Sequence, residues 1–232
     1  MGNLRRPSLD GATLRLERAA RHFNEFEQEG TKFQRSNKDK VIVTQDSDKP
    51  PTFTVSFDKS LVVPPYLSLP VSDCIHNLRS ALDYLIYELA FLDSGTFMDG
   101  TQFPIEDDSA KFNLRRRKTY LRGLSDVHIR AIESLQPYNG VDWTKTLRTI
   151  SNPDKHRQLT VLQPQRSPVV YTHVYGESDD VVVTLNGEQW YLTKAHVLTI
   201  GFAGSSTPVA ETLNLLLVRV GESVNTFKSD FK

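Results

Sequence analysis

The chain has almost no cysteine and no excess of charge of either sign. Cys74 is the only cysteine among 232 residues, which excludes an intramolecular disulfide and a cysteine-based zinc site. Lysine plus arginine and aspartate plus glutamate both number 28. A protein that coats nucleic acid normally carries a basic excess, so any nucleic-acid contact in this chain must be local.

The sequence also contains no long apolar run, and we expect no secretory signal or lipidation at its N-terminus. No run approaches the roughly 20 apolar residues that span a bilayer. The N-terminus MGNLRRPSLDG has two arginines without an apolar stretch behind them, and Arg6 stands where a myristoylation motif has Ser or Thr. Hydrophobic residues at 38% and charged residues at 24% are ordinary for a globular protein. The sequence therefore predicts a cytoplasmic globular protein with no membrane partner.

Five segments carry apolar residues at the three- and four-residue spacing of an amphipathic helix. The strongest is Val71–Leu92, which we expect to be central, with Leu82 fully buried. We expect a loop from Asp93 to about Arg122, including the basic run 115–118. The helical segments are Leu14–Gly30, Val71–Leu92, the stretch from Ser125 to Pro137, Asp142–Ser151 and Thr207–Phe227.

The remaining regular segments have the pattern of β-strands. Two of them, Val41–Thr44 and Thr52–Phe57, flank a turn-rich stretch and predict an N-terminal hairpin. Four more predict a C-terminal antiparallel meander with a tight turn at Asn186 and Gly187. They are Val169–Tyr175, Val181–Leu185, Gln189–Leu192 and His196–Phe202. The predicted fold is one α+β domain over residues 1–232: a helical bundle of about five helices, an N-terminal β-hairpin and a C-terminal β-meander.

The Val71–Leu92 segment also carries a polar face beside its apolar stripe. At 100° per residue, five polar side chains fall within a sector of about 100°. Arg79 and Asp83, four residues apart, are spaced to form an ion pair. The face consists of His76, Arg79, Ser80, Asp83 and Tyr87. Because this helix is expected to be central, a polar face on it would be partly buried and would need partners.

A second polar cluster covers 152–157, with the sequence NPDKHR. We expect Asn152 and Pro153 to end the preceding helix and to start a short helical turn. The N-terminus of that turn would carry partial positive charge. Together with Lys155 and Arg157, it could hold an anion. His156 can transfer a proton near neutral pH.

Four stretches resemble, in order, a family of uncharacterised bacterial proteins whose signature is an HNLRSALDHL-like helix followed by an N-x-DKHR-like turn. They are SDCIHNLRSALDYLIYELA (Ser72–Ala90), FPI (Phe103–Ile105), AIESLQPY (Ala131–Tyr138) and LRTISNPDKHRQL (Leu147–Leu159). The resemblance covers about 61–162 and implies no established activity. Tyr84 stands where the family helix has a second histidine.

The chain is more weakly similar to HEPN domains, helical bundles many of which are metal-independent ribonucleases. Those enzymes use an arginine and a histidine four to six residues apart. Here seven residues separate Arg148 from His156, so the similarity implies only the helical fold class and the use of Arg and His.

Three functions remain open at this point. The first is binding of an anionic small molecule, nucleotide or RNA. The second is a metal-independent HEPN-like ribonuclease or phosphodiesterase in a bacterial defence or toxin context, and the third is a purely structural network. The catalytic candidates are His156 and His76; the ligand-binding candidates are Arg79, Asp83, Asn152, Asp154, Lys155 and Arg157. We predict no metal ion and no cofactor, and the sequence leaves open whether the chain is an enzyme.

Overall fold

The computed structural model describes residues 5–45, 53–155, 160–167, 172–173, 180–185 and 188–232. Its helices are α1 (Asp10–Ser36), α2 (Ser68–Ser94), α3 (Ser109–Lys118), α4 (Asp126–Ser134), α5 (Asp142–Lys155), α6 (Lys194–Val197) and α7 (Val209–Thr226). Its strands are β1 (Val41–Gln45), β2 (Phe53–Phe57), β3 (Leu162–Arg166), β4 (Thr172–His173), β5 (Asp180–Leu185), β6 (Glu188–Thr193) and β7 (Leu198–Phe202). The predicted α+β class is confirmed.

The contacts within the chain divide it into two compact units. Unit 1 consists of Met1–Phe23, Pro70–Thr160 and Leu213–Lys232, and unit 2 of Asn24–Leu69 and Val161–Thr212. A single domain over the whole length stays a prediction. None of the described helices is both long and apolar enough to cross a membrane.

The apolar stripe of α2 forms the core of unit 1. Leu82 is fully buried, as predicted. The other stripe positions up to residue 89 are buried as well: Val71, Ile75, Leu78, Leu85 and Leu89. Burying a Leu or Ile side chain contributes about 1.5–3 kcal/mol, so this stripe dominates the packing of the helix.

Both ends of α2 extend beyond the predicted segment. The helix begins at Ser68 and includes Pro70, which is tolerated because the amide of a first-turn residue has no partner within the helix. At the other end, Gly95 adopts φ +68° and its amide bonds the carbonyl of Phe91 at 2.9 Å. Glycine has no Cβ penalty in this conformation, so it ends the helix.

Helices α1 and α2 are antiparallel neighbours in unit 1. A Cβ on Gly11 would stand 2.6 Å from the ring of Tyr84, so this glycine permits the close approach of the two helices. Further along α1, Arg15 donates to Asn77 at 3.4 Å. Later positions of α1 therefore contact earlier positions of α2, which means that the two helices run in opposite directions.

The loop predicted from Asp93 to Arg122 is wrong in part, because it contains α3. The Asp108 carboxylate accepts a hydrogen bond from the Lys111 amide at 2.7 Å, which is the bond of a helix N-cap. Phe112 is fully buried, but α3 has no second apolar turn that periodicity could detect. The side chains of 115–118 lie outside what the structure describes.

Helix α4 begins where the sequence predicts, and α5 ends later. Ser125 caps α4 by accepting a hydrogen bond from the amide of His128 at 3.4 Å. The expected break at Asn152 and Pro153 is wrong, because α5 continues to Lys155. Proline removes one hydrogen bond from the last turn of a helix, and here that loss does not end the helix.

The described residues of unit 2 form three sets of antiparallel strands. The predicted N-terminal hairpin is confirmed, with Val41 paired to Phe57. The predicted hairpin of β5 and β6 is also confirmed, with Leu185 paired to Glu188; residues 186–187 between them lie outside the described residues. The strand order differs from a simple meander, because β4 pairs with β6, and β7 pairs with β3, a strand the sequence did not indicate.

Candidate functional site

Arg79 and Asp83 on α2 bind the backbone of a single residue, Phe103. The Asp83 carboxylate accepts a hydrogen bond from the Phe103 amide at 2.9 Å, and the guanidinium of Arg79 donates to the Phe103 carbonyl oxygen. The two side chains also form the predicted ion pair, with 3.3 Å between Nη2 and Oδ1. Phe103 itself is fully buried, so both of its backbone groups need these partners.

Phe103 begins a segment, 103–107, that we call the strap. Arg148 of α5 bonds both carboxylate oxygens of Asp107, at 2.8 and 2.7 Å, and reaches the carbonyl oxygen of Ile105 at 3.2 Å. Gln136, just after α4, is buried, and its side-chain Oε1 accepts a hydrogen bond from the backbone amide of Glu106 at 3.0 Å. Side chains from α2, α5 and the end of α4 therefore hold the strap in unit 1.

His76 lies on the same face of α2, and its side chain is exposed. One turn earlier, the buried hydroxyl of Ser72 shares a hydrogen bond of 3.3 Å with the hydroxyl of Thr160. Thr160 is the first described residue after the 152–157 cluster. The chain that leaves this cluster therefore returns to α2 next to the turn that carries His76.

The second predicted cluster is described only in part. Asn152, Asp154 and Lys155 belong to α5, but their side chains lie outside what the structure describes. His156 and Arg157 lie outside the described residues altogether. Since α5 runs to Lys155, the helix end at this point is a C-terminus. A C-terminus carries partial negative charge, so the predicted contribution of a helix N-terminus to anion binding is wrong.

The structure also gives partners to a histidine that the sequence left unassigned. His128 Nδ1 lies 2.7 Å from Asp93 Oδ2, and its Nε2 lies 3.5 Å from Asp230 Oδ2. Asp93 also accepts a hydrogen bond from the Ser125 amide at 2.7 Å. Nothing local indicates these contacts, because the three elements involved are far apart in sequence.

Cys74 and a groove in unit 1 add no residue to the candidate site. Burial raises the pKa of the Cys74 thiol to about 12, which makes it a poor nucleophile at neutral pH. The groove has a volume of about 340 Å³, and its lining includes Trp143, Arg219 and Phe227 but no predicted site residue. Within the described ranges, no three His, Cys, Asp or Glu side chains are grouped to hold a metal ion.

Three of the five residues on the polar face of α2 are thus accounted for: Arg79 and Asp83 hold the strap, and the side chain of His76 is exposed to solvent. Comparison with known proteins adds no relative to this picture. The chain matches no family model, no curated protein and no solved structure.

Proposed function

We propose that the chain binds an anionic ligand, of the nucleotide or RNA class, between His76 on α2 and the 152–157 cluster at the end of α5. The observation that carries this proposal is the hydrogen bond between Ser72 and Thr160. Four residues of chain span at most about 14 Å, so His156 is tethered within that distance of Thr160, whose side chain contacts the α2 turn that precedes His76.

The charges of the two clusters suit an anion. Asp83 is paired with Arg79, so its negative charge is compensated within unit 1. The same pairing neutralises the Arg79 guanidinium, and its Nε is buried and out of reach of a ligand. Lys155 and Arg157 would then supply the positive charge that a phosphate requires, with Arg157 able to bind two phosphate oxygens at once.

Binding is tested with a fluorescein-labelled single-stranded RNA and, separately, with ATP. His76→Ala and Lys155→Ala should each weaken binding about tenfold, since a charge-assisted hydrogen bond contributes about 1.5 kcal/mol. Binding should also weaken with salt, with a smaller slope for Lys155→Ala. The matched controls are the exposed His196 of α6 and the exposed Lys145 of α5. Equal affinities of His76→Ala and His196→Ala, or no binding by the wild type, would refute the proposal.

The ribonuclease alternative rests on His156 and His76 as acid and base. The HEPN-like use of Arg148 gains no support, because its guanidinium bonds Asp107 and the Ile105 carbonyl. The test is RNA cleavage by the wild type and by His156→Ala, each with and without a chelator. Cleavage that His156→Ala abolishes and the chelator leaves unchanged favours a metal-independent nuclease. If neither protein cleaves and the variant loses several kcal/mol of stability, the cluster is structural.

A further inference from the structure

A buried carboxylate on α2 has its partners in the segment before α1. Glu88 is 1% exposed, although it stands among the apolar residues of α2. Its Oε1 accepts a hydrogen bond from the Arg5 guanidinium, and its Oε2 accepts one from the Ser8 amide at 3.0 Å. An unpaired buried carboxylate would be costly, so both oxygens depend on the segment 5–8.

Two aromatic rings also lie near the guanidinium of Arg5, whose side chain is 52% exposed. Its Cζ lies 6.0 Å from the ring centroid of Tyr87 and 5.7 Å from that of Phe97. The two rings are stacked with centroids 6.0 Å apart, and Phe97 also stacks on Phe91 at 4.3 Å. A planar cation next to aromatic faces and a carboxylate combines cation–π attraction with charge-assisted hydrogen bonding.

We propose that Tyr87, Glu88 and Phe97 form a guanidinium-binding site, which the chain's own Arg5 occupies. The site selects a guanidinium over an ammonium, because the planar fork donates to the carboxylate while its delocalised charge lies within cation–π distance of both rings. Its ligand class is therefore the arginine side chain. The site does not depend on the anion-binding function proposed above.

The first test removes the occupant and offers a replacement. Arg5→Ala should lower the melting temperature by about 2–4 °C, since it removes the cation from Glu88; the loss is discounted because the Arg5 side chain is 52% exposed. Millimolar ethylguanidinium should then raise the melting temperature of Arg5→Ala more than ethylammonium does at the same ionic strength. In the wild type the site is filled, and the two cations should have equal effects.

Two variants control for nonspecific effects of the cations. Arg6→Ala removes the neighbouring exposed arginine, and it should behave like the wild type with both cations. In Arg5→Ala combined with Glu88→Gln, the uncharged amide should abolish the preference for ethylguanidinium. Equal responses of Arg5→Ala and Arg6→Ala to the two cations would overturn the proposal.

If Arg5→Ala does not fold, Arg5→Lys carries the test, because it keeps the positive charge and loses the planar fork. Its melting temperature should lie measurably below that of the wild type, and Phe97→Leu should reduce the difference between arginine and lysine at position 5. A melting temperature of Arg5→Lys equal to that of the wild type would show that the site does not distinguish a guanidinium from an ammonium, and the proposal would fail.

Discussion

Arg79 and Asp83, one helical turn apart on α2, bind the two backbone groups of the same residue. Asp83 accepts the amide hydrogen of Phe103 and Arg79 donates to its carbonyl, while the pair itself is 3.3 Å apart. An isolated exposed ion pair contributes about 0–1 kcal/mol. The pair of Arg79 and Asp83 contributes more to folding stability than the attraction between its two charges, because it also satisfies both backbone groups of a buried residue.

Asp83→Ala should lower the free energy of unfolding by about 1–3 kcal/mol, because it leaves the buried amide of Phe103 without an acceptor. Urea denaturation measures the change. Ser80→Ala, on the same face of α2, is the matched control and should change stability by no more than about 0.5 kcal/mol. Equal effects of the two substitutions would show that the strap does not depend on Asp83.

Leu82→Ala should cost about 2–5 kcal/mol, since Leu82 is fully buried in the centre of the α2 stripe and its truncation leaves a cavity. Val127→Ala on α4, where the side chain is 65% exposed, is the control and should be nearly neutral. A loss below about 1 kcal/mol for Leu82→Ala in chemical denaturation would place α2 at the periphery of unit 1.

The N-cap of α3 should weaken in acid. The hydrogen bond from the Lys111 amide lowers the pKa of Asp108, and the nearby Lys111 ammonium, 3.2 Å away, acts in the same direction. A carboxyl group whose pKa is lowered in the folded state makes its full contribution to folding stability at a pH above its unfolded pKa of about 3.9. That stabilisation is lost as the pH falls through the lower, folded value.

The Lys111 amide chemical shift measures this titration by NMR. Its midpoint should lie below about 3.9 in the wild type. In Asp108→Asn the side chain caps the helix without titrating, so the shift should not change with Asp108 ionisation. A midpoint at or above the unfolded value in the wild type would contradict the prediction.

The sequence predicts most of the helices because their stripes are periodic. Val71–Leu92 corresponds to the main part of α2, and Ser125 caps α4 as expected. The sequence missed α3, whose packing depends on the single buried Phe112. It also missed β3, where the strand Leu162–Arg166 contains a proline and only one strongly apolar residue. Its pairing with β7 depends on residues more than 30 positions away.

The candidate site was predictable only where partners lie on one helix. The pairing of Arg79 with Asp83 follows from their four-residue spacing. Their common target, Phe103, is 20 or more residues distant, and the Arg148 contact with Asp107 spans 41 residues. Sequence periodicity carries no information about such contacts. The carboxylate of Glu88 in an apolar helix indicates that a partner must exist, but it does not identify Arg5.

Arg148→Lys separates a structural role for this arginine from a role in RNA chemistry. Arg148 Nη2 bonds both oxygens of Asp107 while Nη1 reaches the carbonyl of Ile105, and lysine cannot reproduce this fork. We expect a stability loss of about 1 kcal/mol, discounted because Asp107 is half-exposed. Arg130→Lys, at an exposed position of α4, should be neutral.

The comparison with Asp107→Asn completes the test. If the two residues act as a pair, the double variant should lose less stability than the sum of the single variants. RNA binding or cleavage should then be unchanged in all three proteins once their folded fractions are matched. If Arg148→Lys instead loses an RNA activity that Asp107→Asn retains, with no loss of stability, Arg148 acts on RNA and its contact with the strap is incidental.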